Sequence, residues 1–264
     1  MGGEVAQVQP LKLHISPCPN DTFMFDALIN GRIDTNALHF EVEFHDIEEL
    51  NSAALHAVAD ISKISCALLP HIENEYSLLR SGAALGRGNG PLLVRRKAER
   101  SPLNRVAIPG THTTAAALMR RLHPQAKELC PMLFSEIAEA VERGEFDAGV
   151  LIHEGRFVYS ERNLELIDDL GLLWEERTHL PLPLGGIVMR RSLDRSLQLQ
   201  VEGLIRQSIE YAFANPSASR QFIKQHAQEL DDNVIDSHIA LFVNQYSLEI
   251  GEQGDMALLE LLHR

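Results

Sequence analysis

What this 264-residue chain lacks narrows its chemistry first. It has three cysteines, Cys18, Cys66 and Cys130, far apart and with no CxxC pair. That excludes a disulfide framework and a cysteine-rich zinc site, and it suits a reducing compartment. No apolar run approaches the ~20 residues that a membrane-spanning helix requires. The segment Met1 to Pro10 has neither a basic region nor an apolar stretch of the export-signal type, so a cytoplasmic location is expected. Basic residues are outnumbered 24 to 37 by acidic ones, giving a net charge of −13. Without a basic stripe nucleic acid is not an expected partner, whereas a small anion in a locally positive cleft is. Walker, G-x-S-x-G and HExxH motifs are missing, which leaves phosphate-loop, serine-hydrolase and metalloenzyme readings unsupported. There is also no tandem repeat, coiled coil or low-complexity tract.

What is present is a soluble globular composition, 45% hydrophobic and 23% charged, in a chain long enough for two lobes. Near the N-terminus Leu11, Leu13 and Ile15 alternate with Lys12, His14 and Ser16, a strand pattern. It stops at Ser16-Pro17-Cys18-Pro19-Asn20-Asp21-Thr22, where two prolines stiffen the turn. Asp21 or Thr22 is the expected cap of a helix over Phe23 to Ile29. The pattern helix, short turn, Asp, strand occurs twice, from Ile47 to Ser65 and from Ser135 to His153. A second echo pairs Gly90-Pro91-Leu92-Leu93-Val94-Arg95-Arg96 with Leu184-Gly185-Gly186-Ile187-Val188-Met189-Arg190-Arg191. These echoes predict a discontinuous lobe, residues 1–94 and 188–264, interrupted by an inserted lobe over 95–187. The two echoing strands would be the hinges. An all-helical tail follows, with helices over 201–213, 218–230, 233–244 and 254–262, packed on the first lobe.

Several polar turns are placed to bind a ligand. Pro109-Gly110-Thr111-His112-Thr113-Thr114 separates a strand (Arg105 to Ile108) from a helix (Ala115 to Leu122). Thr113 and Thr114 are there either as an ordinary cap or as a carboxylate cradle. His153, in Ile152-His153-Glu154, ends a strand and titrates near neutrality unaided, with Glu154 beside it to orient it. His123, His226, His238 and His263 fall in helical segments and read as packing or surface residues. Lys63 and Ser65 occupy the matching strand end of the first module. The glycine-rich stretch Ser81 to Gly90 reads as a flexible approach to the first hinge strand, with Arg80 or Arg87 available to an anion. Trp174 either closes over the cleft or plugs the interlobe core, and Cys18 reads as part of a rigid turn rather than as a nucleophile.

Taken together, the Pro/Cys/Asn/Asp turn, Lys63-Ile64-Ser65, Arg80 to Gly88, Pro109 to Thr114, Ile152-His153-Glu154 and Trp174 to Thr178 with Leu180 to Gly185 resemble one family. That family is the 1,4-dihydroxy-6-naphthoate synthases of the futalosine route to menaquinone, and the motif order is kept from Leu11 into the C-terminal helices. The resemblance implies an α/β, two-lobed, periplasmic-binding-protein-like fold, each lobe a mixed sheet flanked by helices, with two hinge crossings. It implies a carbon–carbon lyase that acts on cyclic dehypoxanthinyl futalosine without metal or organic cofactor. By the same resemblance His153 is the proton acceptor, and Lys63, Ile64, Ser65, Thr113, Thr114 and Asn51 contact substrate. Arg80 and Glu154 complete the expected binding set. The competing reading is a non-catalytic receptor for a small anionic solute.

Overall fold

The computed structural model describes residues 10–88, 90–153, 155–227 and 231–262. Its strands form two sheets. The first holds β1 (Leu11–Ile15), β2 (Phe40–Phe44), β3 (Ile61–Ser65), β4 (Tyr76–Leu78), β5 (Ala84–Gly86) and β11 (Leu182–Arg190). The second holds β6 (Leu92–Arg96), β7 (Arg105–Ile108), β8 (Glu128–Pro131), β9 (Ala148–Leu151) and β10 (Leu164–Asp169). The order is β2-β1-β3-β11-β4 in one, with β5 also on β11, and β8-β7-β9-β6-β10 in the other. In each, the first three strands are parallel, the fourth runs antiparallel to them, and the fifth pairs antiparallel with the fourth.

The sequence echoes therefore mark equivalent places: β3 matches β9, and β11 matches β6. The first sheet takes its antiparallel member, β11, from beyond the strands of the second sheet, so the chain passes between the sheets twice. The crossings lie at 87–91 and 170–181, and the expected cuts at 94/95 and 187/188 fall inside β6 and β11. The reason is backbone pairing. Val94 pairs with Leu166 and Gly149, and Val188 with Ser62 and Leu78, so each strand spends its ladder hydrogen bonds in one sheet. The crossings touch where Gly90 meets Gly171; a Cβ on Gly90 would lie 2.2 Å from the Gly171 Cα.

Leu13 and Ile15 of β1 pack with Phe25 and with Ile205 and Ile209 of the helix Arg195–Ala214, so the helical tail covers the first sheet. Each such side chain contributes roughly 1.5–3 kcal/mol on full burial. The second sheet packs Ile108 and Val150 against the helix Thr114–Leu122 and against Trp174. Trp174 is 1% exposed and its Nε1 donates to the Pro181 carbonyl at 3.2 Å, so it belongs to the core of the second sheet, not to a flap over the cleft. The first helix begins earlier than its polar residues suggest, spanning Pro19–Ile29 with Cys18 at the cap position. Proline at the first helical position loses no hydrogen bond, which frees Asp21 for another task. The glycine-rich stretch is not simply loose, since Ala84–Gly86 pairs with β11. Among the described residues no helix is long and apolar enough to cross a membrane.

Candidate functional site

Open α/β sheets place ligands beyond the carboxyl ends of their parallel strands. Here both sheets point such ends at one cleft of about 690 Å³, its open mouth included. Ser16 follows β1, Ser65 ends β3, Thr113 follows β7, and Ile152 and His153 follow β9; all line it. Lys63, Thr114, Asn20, Arg156 and Phe242 complete the polar and aromatic wall. Of the expected site residues, His153, Lys63, Ser65, Thr113 and Thr114 thus converge on one space.

The second-sheet half presents a helix tip. Thr113 caps the helix Thr114–Leu122, accepting from the Ala116 N–H at 3.2 Å and donating to the Gly110 carbonyl at 2.8 Å. Gly110 has φ +154, and a Cβ there would strike the Glu48 carboxylate, whose Oε1 accepts from the Thr111 N–H at 3.1 Å. The Thr114 hydroxyl donates to the Leu184 carbonyl at 2.9 Å, tying the helix start to β11 of the other sheet. Both hydroxyls are spent on the fold, so the reading as a cap holds. The cradle is left to the first-turn amides of Thr114 and Ala115, which have no partner inside their own helix.

His153 sits on the turn after β9 with φ +52, a left-handed conformation uncommon outside glycine and worth attention at a cleft. Its ring meets Phe134 edge-on at 5.3 Å, lies nearly parallel to His238 at 5.8 Å, and faces Phe242 at 6.4 Å. His238 and Phe242 come from the helix Asp232–Phe242 of the C-terminal tail, so rings from distant parts of the chain meet at His153.

A buried polar chain runs along the first-sheet wall. Asp21 is fully buried; its Oδ2 accepts from the Ser16 amide and hydroxyl, and its Oδ1 from Asn20 Nδ2 at 2.8 Å and Lys63 Nζ at 2.9 Å. Because Asn20 donates to Asp21, its Oδ1 is left to accept from His238 Nε2 at 2.9 Å. His238 therefore carries its proton on Nε2. Asn51 does not line the cleft. It holds Ser65 from behind, accepting from the Ser65 N–H at 2.9 Å and donating to its hydroxyl at 3.0 Å, which leaves the hydroxyl proton for the cleft.

Two further expected contacts also lie outside the cleft lining. The Ile64 side chain is fully buried with Ile72, Tyr76 and Val188, on the face opposite Lys63 and Ser65, as strand alternation requires. Arg80 is turned outward and held by Glu249 and Asp255 at 2.7 and 2.6 Å, which spends its charge on the tail. Arg87 pairs with Glu175, and Glu154 lies outside the described residues. The sequence reading missed Arg156, Asn20, Asp21 and His238. Arg156 is 12% exposed, donates to the Gly90 carbonyl and lies 3.6 Å from Asp169. Burial lowers its pKa against the raising effects of Asp169 and Tyr159.

Burial, followed by the charges of His153 and Lys63, holds the His238 imidazole well below the usual 6.5. The unfolded chain takes up a proton at this residue below about pH 6.5 and the native chain does not, so stability falls as pH drops through that value. His14, His123 and His226 are depressed by burial and act in the same direction. The urea midpoint is expected to fall between pH 7.5 and 5.5. The fall should be shallower in His238→Gln, which retains an amide donor for Asn20; equal slopes would remove His238 from the effect.

The model of a family described as menaquinone biosynthesis matches residues 11–264. The chain is 42% identical over 259 residues to a 1,4-dihydroxy-6-naphthoate synthase of Thermus thermophilus, covering 96% of this chain and 93% of that protein. It is also 42% identical to one of Streptomyces coelicolor, covering 96% and 92%. A crystal structure of an Archaeoglobus fulgidus protein superposes with a TM-score of 0.90 at 33% identity, covering 97% and 96% of the two chains. A Candida albicans protein described as having the generic periplasmic binding protein fold superposes with a TM-score of 0.72 at 12% identity, covering 97% and 89%, a likeness of fold alone. The two-sheet architecture is thus periplasmic-binding-protein-like, and the chain belongs to the menaquinone biosynthesis family.

Proposed function

We propose that the protein is a 1,4-dihydroxy-6-naphthoate synthase, converting cyclic dehypoxanthinyl futalosine to 1,4-dihydroxy-6-naphthoate with His153 as proton acceptor. The observation that carries the reading is convergence: an imidazole after β9, a helix tip after β7 and a lysine–serine pair on β3 face one cleft. A concave space with an aromatic flank and a few convergent polar groups has the character of small-molecule sites.

The substrate joins an aromatic carboxylate to a sugar-derived ring. Lys63 is already matched by Asp21, so the cation of the wall best able to meet a carboxylate is Arg156, helped by the Thr114 and Ala115 amides. The Ser65 hydroxyl and the Lys63 ammonium then face the sugar-derived part. Proton removal by His153 starts the fragmentation, and the gain of aromaticity in the product drives it. A positioned base contributes about 10²–10⁴-fold. Exclusion of water between the two halves strengthens the polar contacts. We infer a cytoplasmic site of action from the three cysteines, far apart in the sequence and without a CxxC pair, with a small molecule rather than nucleic acid or membrane as partner.

The test is incubation of the purified protein, in the presence of chelator, with the cyclic futalosine derivative while the naphthoate chromophore is followed. Turnover is expected. Saturable binding without product would favour the receptor reading instead.

A further inference from the structure

A second group of ligating side chains lies on the first sheet, and none of them lines the cleft. The parallel register of β1 and β2 sets His14 opposite Glu43. His45 follows β2 directly, anchored by its N–H to the Ile15 carbonyl at 3.1 Å. His14 is 3% exposed, and neither of its ring nitrogens has a hydrogen-bond partner. Buried polar atoms are nearly always satisfied, so two orphan nitrogens on one ring need an explanation.

The geometry around the ring supplies one. Glu43 Oε2 lies 3.5 Å from His14 Nε2 and 3.0 Å from His45 Nε2. The three ligand atoms lie within 4.8 Å of one another. Bonds of about 2.0–2.1 Å at tetrahedral angles separate neighbouring ligand atoms by roughly 3.3–3.4 Å, so small side-chain adjustments close the triad on one ion. Behind His45, Glu49 Oε2 lies 3.6 Å from Nδ1. Glu49 is fixed there by a reciprocal capping box with Asp46, its Oε2 accepting the Asp46 N–H at 3.2 Å. A carboxylate behind the distal nitrogen is the usual partner of a metal-bound histidine, setting its tautomer and orientation.

We propose that His14, Glu43 and His45 bind one divalent transition-metal ion of the zinc type, with the remaining position left to water. Two imidazoles and one carboxylate suit zinc, cobalt or nickel better than magnesium or calcium. A plain ion pair between Glu43 and His45 accounts for those two residues but leaves both His14 nitrogens unused. The ion would tie β1 to β2 two residues before Ser16 and Ile47, which line the cleft, and so brace one wall without touching the substrate.

The experiment starts from chelator-stripped protein titrated with Zn2+ by calorimetry and with Co2+ by visible absorption. Expected are one bound equivalent, the intense bands of low-coordinate Co2+ and a higher melting temperature. His14→Ala should lose affinity by at least about tenfold. His45→Ala, at a half-exposed position, should do the same without threatening the fold. No bound equivalent, or binding that survives both substitutions, overturns the proposal; the latter would point to other histidines among the 12 of the chain.

Discussion

Replacement of His153 by asparagine is expected to lower naphthoate formation by about 10²–10⁴-fold while moving the urea midpoint little. Asparagine is the informative choice because His153 has φ +52. Asn tolerates the left-handed region better than most residues, whereas alanine would add backbone strain to the loss of the base. The side chain is only partly buried, and two of its neighbours, His238 and Phe242, pack on one another without it, 4.6 Å apart. The readouts are the initial rate at saturating substrate, the binding constant by calorimetry and the unfolding midpoint. A variant that binds normally and turns over at less than a hundredth of the wild-type rate supports His153 as the base. Undiminished turnover would transfer the role elsewhere, and a parallel loss of binding would make His153 a contact rather than a base.

The parts of the site that could be read from the sequence are those set by local rules. The strand ends at Ser65 and His153 and the helix start at Thr113 follow from alternation, capping and the turn residues between them. The likeness of the two sheets was legible because equivalent strands carry similar residues, β3 with β9 and β6 with β11. Ile64 was excludable by the same alternation, since its neighbours Lys63 and Ser65 share the opposite face. What stayed hidden depends on partners remote in the chain. Arg80 is claimed by Glu249 and Asp255, 169 and 175 residues away, and no local pattern says so. His238 looked like a packing histidine, and it is buried. Its importance lies in Asn20, 218 residues earlier, and in a ring 85 positions before it. Arg156 was passed over because its value to the cleft comes from Gly90 of the first crossing and Asp169 at the end of β10, which close on it.

The largest stability effect is expected at Asp21. Asp21→Ala deletes the acceptor of Lys63, Asn20 and both Ser16 donors, and leaves an ammonium that is 5% exposed without a counter-charge. Breaking one side of a buried pair costs about 3–5 kcal/mol. The double variant Asp21→Ala/Lys63→Met removes the orphaned charge and fills the space with a chain of similar length. It should recover part of the loss, giving a coupling energy of about 0.5–3 kcal/mol from urea unfolding of the four proteins. Additive losses would mean that the 2.9 Å contact is not an energetic pair. Turnover should separate the two roles of the network. If the double variant regains stability yet stays inactive, the buried pair is retained for the position of the Lys63 ammonium in the cleft, because an apolar replacement satisfies the fold without it. Recovery of activity together with stability would instead make Lys63 a structural residue, and the polar contact to substrate on that wall would then rest on Ser65.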